Sequence, residues 1–328
     1  MKSVYYIERI LQYFTQHPWW KWALAWSKNH SLPGLKRIPL YNLVVFIRRE
    51  TQDDAILTRA NSMAFDFFLS IFPSIIVLFT LLAYTPLYEN FDDVLSAAIE
   101  RIMPGSAGQI LFKTIEDIAT RQRSGLLSFG FLLAIWFASN GMLSMMNGFE
   151  KEHHLTFRQR GGLESRLIAI QLTFLIGLVL VGAVVFVILG NTILSFVFEY
   201  VKMDILTRFL VFFFRWIVVI LLFYTGFSTI YRYGAATRKR IPFFNPGSLL
   251  ATFLSILISW GFSFYVDNFG SYNKVYGSIG TLIVLMVWLQ LNCMILLIGF
   301  EVNAGVAVLR DLRRMEQEQA EKKQISPS

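Results

Sequence analysis

Six stretches of mostly apolar residues, near 63–87, 126–146, 167–189, 209–231, 247–265 and 279–302, constrain this chain more than any other feature. About 20 helical residues cross the ~30 Å hydrocarbon core of a bilayer. In hydrocarbon the backbone has to satisfy its own hydrogen bonds, which leaves helices or closed barrels. A barrel would show many short alternating segments, whereas these stretches are continuous. The sequence therefore predicts an all-α integral membrane protein with six transmembrane helices. Composition agrees, with 55% of the residues apolar and 16% charged, against about 25% charged in soluble domains.

Charge sets the expected orientation. Of the 30 lysines and arginines, 22 lie before the first stretch, in the second-to-third and fourth-to-fifth connections, or in the tail, and 7 lie on the opposite side. Basic residues stay in the cytoplasm, so both termini are expected there. Three regions follow. Residues 1–58 are expected to carry interfacial amphipathic helices. His17-Pro-Trp-Trp-Lys-Trp-Ala-Leu-Ala-Trp26 sets four tryptophans beside lysine, a pattern suited to the headgroup layer. Residues 40–49, apolar and then basic, read as a second such helix, and both segments are also compatible with packing on the bundle. Residues 59–309 form the transmembrane domain. Its loop at 88–125 is expected to make a small extracytoplasmic cap, with helices at 91–102 and 107–120 parted by Pro104-Gly105. Residues 310–328 are a charged cytoplasmic tail.

Ionisable groups inside spans are costly, and each is a functional candidate. Asp66, Arg215 and Glu301 are the three. Ser62, Asp66, Ser70 and Ser74 recur every four residues and share one helix face, beside a possible kink at Pro73. Ser139 and Asn140 in the second span, and Gln290 and Asn292 in the sixth, sit at similar depth. Together Asp66, Ser70, Ser139, Asn140, Gln290 and Asn292 outline a candidate polar path open to the cytoplasm; interhelical hydrogen bonding is the plainer account of Ser139, Asn140, Gln290 and Asn292, and an interfacial position, hydrated or paired with a base such as Arg59, is the plainer account of Asp66. Arg215 is a candidate anion site or the partner of an outer acid such as Asp267 or Glu199. Glu301, at the inner end of the last span, is expected to pair with Arg59.

Catalytic patterns are scarce. There is no HExxH, CxxC pair, Walker A loop or Gly-x-Ser-x-Gly elbow. The adjacent His153 and His154 point in different directions on a helix, and a solvated loop is their simplest setting. No cofactor, metal or nucleic-acid partner is expected. The partners expected are membrane lipids and an amphiphilic or anionic small molecule, moved or bound without an ATPase in the chain. The rival class is a non-transporting envelope scaffold.

Several motifs remain: Arg59-Ala-Asn-Ser-Met-Ala-Phe running into Ser70-Ile-Phe-Pro73, Trp136-Phe-Ala-Ser-Asn-Gly141, Asn245-Pro-Gly-Ser-Leu-Leu-Ala, Tyr265-Val-Asp-Asn-Phe-Gly-Ser-Tyr-Asn-Lys-Val-Tyr-Gly-Ser278 and Gly299-Phe-Glu-Val-Asn303. Over about residues 40–309 the chain resembles the YihY/BrkB family of bacterial inner-membrane proteins. The resemblance implies six helices with both termini inside. It also brings a ribonuclease label, a virulence label and a suggested transport role. A hydrolytic nuclease calls for a metal cluster or a basic catalytic domain outside the membrane, and the residues supply neither.

Overall fold

The computed structural model describes residues 56–82, 124–200, 205–268 and 278–325, with scattered positions between Trp22 and Ile47. Six helices make up the main body: α1 (Ile56–Leu82), α2 (Ser124–Gly148), α3 (Gly162–Tyr200), α4 (Ile205–Gly234), α5 (Pro246–Asn268) and α6 (Ser278–Ile325). Among the described residues the only β pairing is a single antiparallel bridge, Phe157 with Thr237. Five helices, α2 to α6, hold segments long and apolar enough to cross a membrane. α1 has 27 residues, including Arg59 and Asp66, and Pro73 lies inside it.

The helices outrun the apolar stretches that predict them. α3 has 39 residues and α6 has 48, about 58 and 72 Å at 1.5 Å per residue. Apolarity marks only the part that hydrocarbon selects, while helical hydrogen bonding continues past it. The tail expected at 310–328 is therefore continuous with the last span as far as Ile325. The cap at 88–125, most of the Tyr265–Ser278 block and most of the tryptophan segment lie outside the described residues. The 40–49 segment is described in part. Its Leu43 is buried against Val302 and Val306 of α6, with Leu250 and Leu309 alongside, and Lys28 Nζ sits 4.9 Å above the Tyr41 ring.

Each helix packs on its chain neighbours, and α6 returns to α1, so the order around the bundle is the chain order. Packing is concentrated at one end, where the loops 149–161 and 235–245 lie. The fully buried side chains Met63, Met145, Phe149, Leu172, Tyr231, Ile295, Leu297 and Phe300 all belong to that end. Phe149 stacks on Phe300 at 4.3 Å, and Phe157 meets Phe300 edge-on at 6.2 Å. At the other end α4 exposes Phe209, Phe212, Phe213 and Phe214, and α5 exposes Trp260 and Phe264. Such faces suit lipid, because hydrocarbon gives no hydrophobic push of helix against helix.

The two loops close the packed end by backbone pairing. Arg158 N donates to Ala236 O, and Arg238 N donates to Thr156 O, each at 2.8 Å. Arg160 then caps α4, donating to Gly234 O at 2.7 Å, Ala235 O at 2.9 Å and Tyr233 O at 3.2 Å. A cation on the last carbonyls of a helix opposes its negative dipole end. Burial, then the like charge of Arg158, pulls the Arg160 guanidinium below its ordinary value, with Glu164 and Glu150 opposing. Arg160→Gln is expected to cost about 1.5–3 kcal/mol, the range for hydrogen bonds that involve a charged group. A lowered melting temperature in detergent, with the helical content retained, checks it.

Candidate functional site

Glu301 of α6 is a fully buried carboxylate with charged partners. Lys151 Nζ lies 2.9 Å from Glu301 Oε1, and Arg59 Nη2 lies 3.7 Å from the same atom. Arg59 Nη1 also donates to Gly148 O, the last residue of α2, at 2.7 Å. One cluster thus joins α1, the end of α2, the following loop and α6. The carboxylate offsets the Lys151 ammonium, its nearer and more buried partner, while Arg59, 20% exposed, carries the remaining positive charge closer to solvent.

α5 and α6 approach each other through small residues. A Cβ on Gly247 would lie 2.1 Å from Gly299 O, and one on Gly299 would lie 2.3 Å from Tyr231 Oη. Asn245 sits at the N-cap of α5, where its Oδ1 accepts from Ser248 N at 2.7 Å, with Pro246 at the first helical position. The same Oδ1 accepts from Asn303 Nδ2 at 2.7 Å, and Asn303 Oδ1 accepts from Gly247 N at 3.0 Å. The motifs Asn245-Pro-Gly and Gly299-Phe-Glu-Val-Asn303 are therefore two halves of one joint. Gly141 serves the α1–α2 contact similarly, since a Cβ there would meet Phe67 at 2.7 Å.

The residues of the expected polar path have the following surroundings. Ser70 donates to Phe67 O, Ser139 to Trp136 O and Asn292 to Trp288 O, all within their own helices. Asn140 accepts from Arg166 at 2.6 Å, and that guanidinium stacks 4.0 Å from the Trp136 ring. Asp66 and Gln290 are half-buried. No hydrogen bond connects any two of the six among the described residues. Arg215 stands on the exposed face of α4 between Phe214 and Trp216. The side chains of Asp267 and Glu199 lie outside the described residues. His153 and His154 line a pocket of about 260 Å³ with Thr156 and Asp311 at the base of α6. Among the described residues no three of His, Cys, Asp and Glu gather as a metal site.

A groove of about 590 Å³ lies in the loosely packed half between α5 and α6, lined by Leu257, Trp260, Gly261, Tyr265, Ile283 and Val287 among others. Its walls are almost wholly apolar.

The family model described as virulence factor BrkB matches residues 47–324. This chain belongs to the BrkB family. The BrkB match takes in all six helices and every half of the α5–α6 joint. A relative in Bacillus subtilis (strain 168), the ribonuclease-like protein YfkH, is 33% identical over 75% of this chain and 88% of its own, under a label that is itself provisional. A UPF0761 membrane protein of Vibrio parahaemolyticus is 25% identical over 80% of this chain and 81% of its own. Another, from Xanthomonas campestris pv. campestris, is 23% identical over 81% of this chain, which spans 60% of that relative's length. No solved structure matches. The BrkB and UPF0761 names describe membrane proteins, not a defined enzyme.

Sequence reasoning missed Lys151, the Arg166–Asn140 contact and the Asn245–Asn303 pair. The small-residue series Gly247, Ala251 and Ser255 was a readable signal for a close helix contact.

Proposed function

We propose that this BrkB-family chain is a six-span protein of the inner membrane, with α1 as the first span and both termini in the cytoplasm. In this reading it binds or carries a lipid-like or small amphiphilic molecule, has no ATPase of its own and is not an enzyme. The observation that carries the reading is the apolar groove between α5 and α6. A groove facing hydrocarbon with Trp260 and Tyr265 on its wall suits an acyl chain whose polar end reaches the headgroup layer. Asp66 and the polar groups near it lie toward the packed end, away from the groove, and would meet a ligand's polar group only as it moves along the bundle. The ribonuclease label stays with YfkH.

A second reading, a non-transporting scaffold, draws on the packed end, where Phe149, Phe300 and the Glu301 cluster fill the bundle. The test is mass spectrometry of what co-purifies in nanodiscs with wild type, Gly261→Trp and Asp66→Asn. Gly261 has open space where a side chain would go, so Trp fills the groove without disturbing the packed end. A defined lipid or amphiphile, reduced about tenfold by Gly261→Trp, a loss of ~1.4 kcal/mol, is expected. Its reduction by Asp66→Asn would tie Asp66 to the ligand, and unchanged occupancy would remove Asp66 from the path. Identical bulk lipid in wild type and Gly261→Trp would favour the scaffold.

A further inference from the structure

The connection between α4 and α5 holds features that the groove does not use. Arg232, Arg238, Lys239 and Arg240 fall within nine positions, with no acid between them. Among the described residues none of the four is paired with a carboxylate. The last three are exposed. The guanidinium carbons of Arg240 and Arg232 lie 5.6 and 6.0 Å from the centre of the Tyr233 ring, so one ring stands beside two cations. A basic cluster without an acid among its neighbours in sequence attracts anions.

Beside them stands an aromatic shelf. Phe244 is 82% exposed and Phe243 is 37% exposed. Phe243 meets Phe244 at 5.5 Å, and Tyr224 contacts both rings. The backbone beneath is fixed, because Tyr224 Oη, Ser228 Oγ and Asn245 Nδ2 all donate to Phe243 O. The Phe157–Thr237 bridge and the Arg238 Nε bond to His154 O at 3.0 Å pin the basic side of the loop. Rings this exposed are unfavourable in water and favoured at a bilayer interface. The loop joins two helices that are long and apolar enough to cross, which sets it at headgroup depth.

We propose that this corner is a binding site for the headgroup of an anionic phospholipid. Lys239 and Arg240 hold the phosphate, and Phe243 and Phe244 lie against the glycerol and first methylenes. Clustered basic residues attract anionic lipid wherever they lie near a membrane. Here the pinned backbone and rigid aromatic shelf turn that attraction into a site for one lipid. The inference rests on neither the groove nor the orientation, because lipid added in detergent reaches both ends of the helices.

The test is native mass spectrometry and titration of the full chain in detergent with phosphatidylglycerol, and with phosphatidylcholine as the neutral comparison. Wild type is expected to retain one tightly held phosphatidylglycerol and to prefer it over phosphatidylcholine by about tenfold or more. Lys239→Gln/Arg240→Gln, which leaves the Arg238 bond to His154 O in place, should abolish that preference while melting as wild type does in neutral lipid. Phe244→Ser should weaken binding of the same lipid. The control Arg313→Gln/Arg314→Gln removes the same charge from the tail and should leave the preference intact. Equal loss in control and loop variants would overturn the site, as would an unchanged preference in the loop variant. Displacement of the lipid by inorganic phosphate alone would overturn the lipid assignment.

Discussion

Glu301→Gln is expected to lower stability by about 3–5 kcal/mol, the usual cost of removing one partner from a buried ion pair. Glu301 has no exposure, and the Lys151 side chain is 4% exposed. Without the carboxylate, the Lys151 ammonium and the Arg59 guanidinium share one pocket under Phe149 and Phe300. The cost comes from the cations left behind, more than from the Coulomb attraction lost. Adding Lys151→Met should therefore recover a sizeable part of the stability, because it removes one stranded charge and keeps the volume. Arg59→Gln should cost less than Glu301→Gln, since its charged end is 3.7 Å away and its side chain is 20% exposed. Melting temperatures in detergent for the single and double variants provide the cycle. Additive losses would show that the three residues do not act as one cluster.

Gly247→Ala is expected to be as severe, at about 3 kcal/mol or more, the upper part of the range for overpacking. The added methyl would meet Gly299 O at 2.1 Å and the Asn303 amide at 2.4–2.5 Å. Neither can retreat cheaply. The first is helix backbone. The second is held by bonds to Asn245 and to Gly247 itself. Gly299→Ala strikes the joint from the other side, where Tyr231 is fully buried, stacked near Phe149 and Phe227, and donating to Leu296 O at 2.9 Å. Gly261→Ala, on the same helix α5 but with nothing nearby, should change stability little. Comparing folded yield and melting temperature of the two α5 variants isolates the close approach from any general cost of changing a helical glycine.

Membrane helices were legible because hydrocarbon thickness imposes a length of apolar sequence that nothing else requires. Their ends were not, because α3 and α6 continue as helix after the apolar run stops. Asn245-Pro246 could be read locally as an N-cap followed by a first-turn proline. Its partner Asn303, 58 residues on, could not, since nothing local records which helix lies opposite. Lys151 sits between Glu150 and Glu152 and reads as part of a solvated loop. The packing of Phe149 and Phe157 on Phe300 and the bond from Thr156 Oγ1 to Asp311 Oδ2 at 3.0 Å bring that loop under α6. The polar path was inferred from shared depth. Depth leaves the rotation of each helix open, and rotation decides whether a serine faces a neighbour or its own backbone. Ser70, Ser139 and Asn292 bond to their own helices. The groove between α5 and α6 left no local mark, because its lining is ordinary apolar sequence whose meaning depends on where two helices part.

Photo-cross-linking tests the lipid-binding reading most directly. A phospholipid carrying a photoreactive group in its acyl chain would be activated with the protein in nanodiscs, and the labelled peptides mapped. Labelling is expected to concentrate at 257–265 of α5 and 283–291 of α6, and to fall there in Gly261→Trp. Labelling that is no stronger in the groove than on the exposed face of α4 at 212–220, and indifferent to Gly261→Trp, would contradict it.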